Sequence, residues 1–115
     1  MDYKIEEKSK ELAQLILDSE EYQGYLEAKE NLYRNPERAQ RIQSFRKKNF
    51  EVQNGCDSSN VMEELMKLTE EYQQDLEYVV VSEYLNAELR LCKVMQNVNR
   101  ILVEGINMNM DFLNQ

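Results

Sequence analysis

The chain has 115 residues and a mass of 13.7 kDa, room for one domain with a modest core. Its 22 acidic and 14 basic side chains give a formal charge of -8 and a pI near 4.6. That balance argues against a DNA-binding surface, which neutralises phosphates with clustered Lys and Arg.

Composition also narrows the class. One Pro, three Gly and the lack of any strand-length run of period two point to an all-α fold. Two cysteines, Cys56 and Cys92, are too few for a disulfide framework. The start MDYKIEEKSKE lacks the apolar core of a signal peptide. The longest aliphatic run, Val79–Val81, is far below the roughly 20 residues of a membrane span. A reducing cytoplasmic setting, with no direct membrane insertion, is the expectation.

In chain order, a first helix is predicted over Tyr3–Leu17, with Ile5, Leu12, Leu15 and Ile16 as a narrow apolar stripe. Asp18 with Glu21 has capping-box spacing and predicts a new start. The second helix runs to about Tyr33 and is expected to bury Tyr22, Tyr25, Leu26, Ala28 and Leu32. Gly24 inside it is either an exposed, tolerated site or a point of close helix approach.

Asn35-Pro36 is the clearest boundary, because Asn caps well and Pro at the first helical position gives up no needed hydrogen bond. The third helix is predicted from Pro36, with Ile42, Phe45 and Val52 as its core face and Arg38, Arg41 and Lys48 on an adjacent sector. Asn54-Gly55 supplies a left-handed stop, and Asn54–Asn60 is the one loop of any length. Ser58, Ser59 and Asn60 are all possible caps of a fourth helix, Asn60 with Glu63 at capping-box spacing, and its inner face is Val61, Leu65, Leu68, Tyr72 and Leu76. Glu63, Glu64, Glu70, Glu71 and Asp75 form its solvated face, and a kink is expected at Tyr78–Val81.

Ser82 then caps a long C-terminal helix, Ser82–Leu113, around which the other elements are expected to pack. Tyr84, Ala87, Leu91, Val94, Val98, Ile101, Gly105 and Met108 follow at spacings of three and four, one column on one side of a helix. Leu85, Leu89, Cys92, Met95, Leu102 and Ile106 form a second column beside it. So wide a stripe needs more covering than four short helices provide, which predicts self-association, as a homodimer or with a paralogue, through Leu91, Val94, Val98, Ile101, Ile106 and Phe112. Residues 107–115 either prolong this helix or fold back as a tail.

Charge is uneven along the chain. Asp and Glu against Lys and Arg count nine to five over 1–34, two to five over 35–54, seven to one over 55–80 and four to three over 81–115. Only 35–54 is basic, so the acidic remainder is its partner within the chain or in a neighbour. Arg38, Arg41, Arg46, Lys47 and Lys48 are thus either a solvated face or a docking surface for an acidic protein or RNA, with Arg38, Arg41 and Lys48 as the candidate docking residues.

Little here carries chemistry. There is no His, the commonest general base and metal ligand. Cys92 lies on the apolar stripe, where a buried inert thiol is expected, and Cys56 reads as an incidental loop thiol or else as one that pairs between chains or ligates a shared metal. The isolated glycines make no phosphate-binding loop. No catalytic residue, metal ligand or cofactor site is predicted, and an enzyme is not expected.

Tyr25-Leu26-Glu27-Ala28 with Leu32 is echoed by Tyr84-Leu85-Asn86-Ala87 with Leu91. Together with Ser19-Glu20-Glu21-Tyr22, Asn35-Pro36-Glu37, Ile42, Phe45-Arg46, Ser82-Glu83, Glu88, Val98-Asn99 and Ile101, in this order and spacing, these residues resemble the YlbF/YmcA family of small helical bacterial regulators. The resemblance implies a helical, cytoplasmic, non-enzymatic protein acting through protein contacts. It further implies roles in competence, sporulation or biofilm control and a place in an RNA-processing complex. Some members bind an iron–sulfur cluster through extra cysteines that this chain lacks. The expected architecture is a single domain over 1–115, a bundle of about five helices with a long C-terminal one.

Overall fold

The computed structural model describes residues 1–55 and 58–106, which form α1 (Tyr3–Leu17), α2 (Glu20–Tyr33), α3 (Pro36–Gly55), α4 (Ser58–Glu71), α5 (Gln73–Leu76) and α6 (Val79–Ile106), with no strand among them. The all-α class and the long C-terminal helix are as the sequence predicts; the count is six because the predicted fourth helix divides.

The joints follow local chemistry. Asp2 caps α1, its carboxylate accepting from the Lys4 N–H at 2.7 Å. At the next joint the cap is Ser19, correcting the expected Asp18. Ser19 Oγ accepts from the Tyr22 N–H at 3.2 Å and donates to the Ile16 carbonyl. Asp18 sits in the right-handed helical region (φ -86, ψ -4) and closes α1. An N-cap needs extended backbone, so its carboxylate accepts from the Gln14 amide instead. Asn35 caps α3 as predicted, accepting from the Arg38 N–H at 3.1 Å.

Three other expectations are corrected. Helix α3 keeps Gly55 without a left-handed φ and α4 begins at Ser58, so Asn54, Gly55 and 58–60 of the predicted loop lie in helices and Asn60 is no cap. The predicted fourth helix is interrupted first at Tyr72 (φ -106, ψ 15), one turn of α5 follows, and a second break falls at Glu77–Tyr78, at the edge of the kink expected over Tyr78–Val81. Tyr72 is 3% exposed with its ring 5.3 Å from that of Phe45, so tertiary packing breaks the helix where no local breaker stands. Val79–Val81 instead open α6, with the Tyr78 carbonyl accepting from Val81 and Ser82, and Ser82 is no cap.

The chain forms two compact units, residues 26–85 and residues 1–25 with 86–115. In unit 26–85, α3 packs on α4 and α5. Its core is Ala28 and Leu32 from α2, Ala39 and Ile42 from α3, Leu68 and Tyr72 at the end of α4, and Val81 and Tyr84 from α6. Leu32, Ile42 and Val81 are fully buried, each worth about 1.5–3 kcal/mol relative to exposure. Of the residues expected on the inner faces, Ala28, Leu32, Ile42, Leu68 and Tyr72 are buried, Phe45, Val52, Val61, Leu65 and Leu76 are half-buried, and Leu26 is 40% exposed.

The other unit has far less interior. Among its described residues only Ala87 is buried; α1 buries none of its residues, Leu12 and Ile16 reach half-burial, and Ile5 and Leu15 stay exposed. Tyr22 and Tyr25 are half-buried, their ring centroids 6.3 Å apart. Gly24 is exposed, and an added Cβ would meet nothing within 4 Å, so it is a tolerated site. Cys92, expected to be buried, is exposed.

Candidate functional site

Within unit 26–85 the basic sector of α3 meets aromatic rings and carboxylates from α4, α5 and the turn after it. Arg41 and Lys48 are two turns apart on one helix face, so both reach Tyr72. The Arg41 guanidinium lies 4.8 Å from the Tyr72 ring centroid and forks onto Asp75, with Nε 2.9 Å from Oδ1 and Nη2 2.8 Å from Oδ2. Lys48 Nζ donates to the Tyr72 hydroxyl at 3.1 Å and lies 3.3 Å from Glu71 Oε1. The Arg38 guanidinium stacks 3.7 Å from the Tyr78 ring centroid. Beside them Arg46 lies over the Tyr84 ring and donates to Gln43, which donates to the Tyr84 hydroxyl at 3.1 Å.

The electrostatics follow the geometry. Arg41 holds the Asp75 carboxyl below its ordinary range, chiefly through the forked hydrogen bonds, and Asp75 raises Arg41 in turn. Lys48 is raised by its hydrogen bonds to Tyr72 and Glu71. Asp75, expected on a solvated face, has a side chain only 14% exposed and belongs to this cluster. The acidic stretch 55–80 is therefore the basic stretch's own partner. Arg38, Arg41 and Lys48 lie on one sector of α3, and each is engaged within the chain. An open groove of about 450 Å³ lies beside them, between Lys48, Glu51 and Val52 of α3 and Glu64, Lys67 and Leu68 of α4.

The other candidate set lies in the second unit, along α6. Leu91, Val94 and Val98 are half-buried, and Ile101 and Ile106 are 54% and 62% exposed. Phe112 lies outside the described residues. The second column is open as well: Leu89, Cys92, Met95 and Leu102 are all exposed, with Met95 at 55%. One edge of the column carries Arg90, Asn97 and Glu104 at seven-residue intervals. Arg100 bridges Asn97 and Glu104 within the helix, its Nη1 3.1 Å from Glu104 Oε2. Sequence reasoning missed Ile5 and Leu15 of α1, 58% and 68% exposed, because their spacing reads equally as a core stripe. Among the described residues no helix is long and apolar enough to cross a membrane.

The family model described as "Control of competence regulator ComK, YlbF/YmcA" matches residues 5–107. A UPF0342 protein of Desulfitobacterium hafniense (strain Y51) is 32% identical over 89% of this chain and 84% of its own. A UPF0342 protein of Caldicellulosiruptor bescii is 28% identical over 84% of this chain and 82% of its own. No solved structure matches. With nearly all of α1 to α6 inside the matched span, the chain belongs to the YlbF/YmcA family.

Proposed function

We propose that the protein is a non-enzymatic cytoplasmic regulator that works by binding protein, itself or a paralogue, through the apolar face of α6 beyond Leu91 with α1 beside it in the same unit. One observation carries this. The unit of 1–25 and 86–115 buries Ala87 alone among its described residues, while Ile5, Leu15, Leu89, Met95, Ile101, Leu102 and Ile106 are each more than half exposed. A run of large apolar side chains on one helix marks a contact surface, and covering it gains about 25 cal/mol per Å². The family description, control of a competence regulator, supports a regulatory role. Participation in an RNA-processing complex would be one setting for such contacts.

The test replaces the native copy in its host with a Leu102→Glu, Ile106→Glu variant. Both residues are exposed, so the variant is expected to fold and accumulate while reproducing the regulatory phenotype of a deletion. A folded, accumulated variant that behaves as the wild type would refute the reading.

A further inference from the structure

We propose that the occupant of this face is a second copy of the same helix, laid antiparallel with Asn97 of each copy at the twofold axis; the proposal rests on reading the face as a protein contact. From Leu91 the apolar residues recur as Leu91, Val94, Val98, Ile101 and Gly105, the alternation of three and four that defines a coiled-coil seam. Arg90, Asn97 and Glu104 line one flank of the seam; Met95 and Leu102 line the other.

A twofold pair is isologous: if residue i meets j, then j meets i. With Asn97 opposite Asn97 in an antiparallel pair, Arg90 of each copy meets Glu104 of the other, twice over. The same register sets Leu91 against Ile101 and Val94 against Val98 in the seam, and Met95 against Met95 on the far flank. Seam and flank are thus satisfied at once.

The alternatives are poorer. A parallel pair sets one flank of the seam against the other, so Arg90 faces Met95, Asn97 faces Leu102, and the Arg90–Glu104 pairs are not made. An antiparallel register one heptad earlier sets Glu83 against Glu104, and one heptad later sets Val94 against Gly105 and leaves a void. Arg90, Met95, Asn97, Ile101 and Glu104 are exposed and free to meet a second helix, while Leu91, Val94 and Val98 are half-buried and keep only part of their surface for it. Glu104 shares only a solvent-exposed pair with Arg100, with side chains 65% and 57% exposed, and gives up little to take a second partner.

Sedimentation velocity on Arg90→Glu, on Glu104→Arg and on their equimolar mixture tests the register. The wild type is expected to dimerise. Each single variant should do so about tenfold more weakly, since two flank attractions become repulsions. The mixture should regain wild-type affinity as a heterodimer, because both of its flank pairs are again opposite in sign. In a chain with Cys56 and Cys92 replaced by Ser, Met95→Cys should form an intermolecular disulfide under mild oxidation, and Lys93→Cys on the outer face should not. A mixture no tighter than its components, or equal crosslinking at 93 and 95, overturns the register. A wild type that stays monomeric at every concentration overturns the second copy as occupant, and leaves the contact surface itself to the Leu102→Glu, Ile106→Glu test.

Discussion

Tyr72 is where the helix of residues 58–76 breaks and where the basic and acidic stretches meet, so replacing it separates ring packing from polar contact. Its ring is 3% exposed, 5.3 Å from Phe45 and within 4.8 Å and 5.2 Å of the Arg41 and Lys48 cations. Tyr72→Ala removes a buried aromatic ring, a change that costs about 3–5 kcal/mol. In a chain of this size about 1 kcal/mol moves the thermal midpoint by roughly 4 °C, so the midpoint should fall by at least about 12 °C. Tyr72→Phe keeps the ring and loses only the hydrogen bond from Lys48, whose side chain is 47% exposed and readily rehydrated. It should retain most of the stability. Thermal melts followed by circular dichroism at 222 nm compare the two. If Tyr72→Phe lost as much as Tyr72→Ala, the polar contacts would hold the joint and the packing account would be wrong.

Asp75→Asn tests the fork to Arg41. The folded carboxyl titrates below its ordinary value, so the ionised form stabilises the fold above about pH 4, and this contribution disappears as pH falls through the lowered folded value. Wild type should therefore exceed Asp75→Asn by a constant margin from pH 7 to 5 that closes in more acid solution; a margin unchanged at pH 3 and below would contradict the assignment. Ser19→Ala should weaken hydrogen-exchange protection of the Tyr22 amide about fivefold, the effect of a lost cap of ~1 kcal/mol, and Asp18→Ala should leave that amide unchanged. Ile101→Asp, at a site 54% exposed, should abolish self-association while the far-ultraviolet spectrum keeps its helical signal, and loss of that signal would place Ile101 in a core instead.

The helices were legible because each carries its apolar residues at helical spacing, and the Asn35-Pro36 start was legible because both residues have local roles that need no tertiary context. Joints decided by competition or by packing were not. Asp18 and Ser19 are both good caps in adjacent positions, and only the backbone, right-handed at Asp18, selects between them. Nothing in Glu70 to Gln74 breaks a helix; the break at Tyr72 exists because burying that ring against Phe45 outweighs continuing α4. Of the kink expected over Tyr78–Val81 only Tyr78 lies in a break: β-branched residues are mediocre helix formers, yet Val81 is fully buried, and that burial fixes the first turn of α6 directly after it.

For the candidate sites, sequence supplied the inventory and structure decided what each group does. The segment counts of two to five and seven to one over 35–54 and 55–80 already showed complementary neighbours, and the fork of Arg41 onto Asp75 shows that the match is made inside the chain. On α6 the two columns are indistinguishable by spacing, because a residue bound for a core and one bound for an interface obey the same period of 3.6. What separates them is how much covering surface each unit owns. The segment 79–85 shares its unit with α3, α4, α5 and most of α2, and Val81 and Tyr84 are buried there. Beyond Leu91 the described residues of the unit offer only α1 and the first turns of α2, and Leu12 and Ile16 are themselves only half-buried. Cys92 and Met95 are thus exposed because the described residues of their unit offer little to cover them rather than for want of apolar character, and the width of that stripe is what the proposed contact surface rests on.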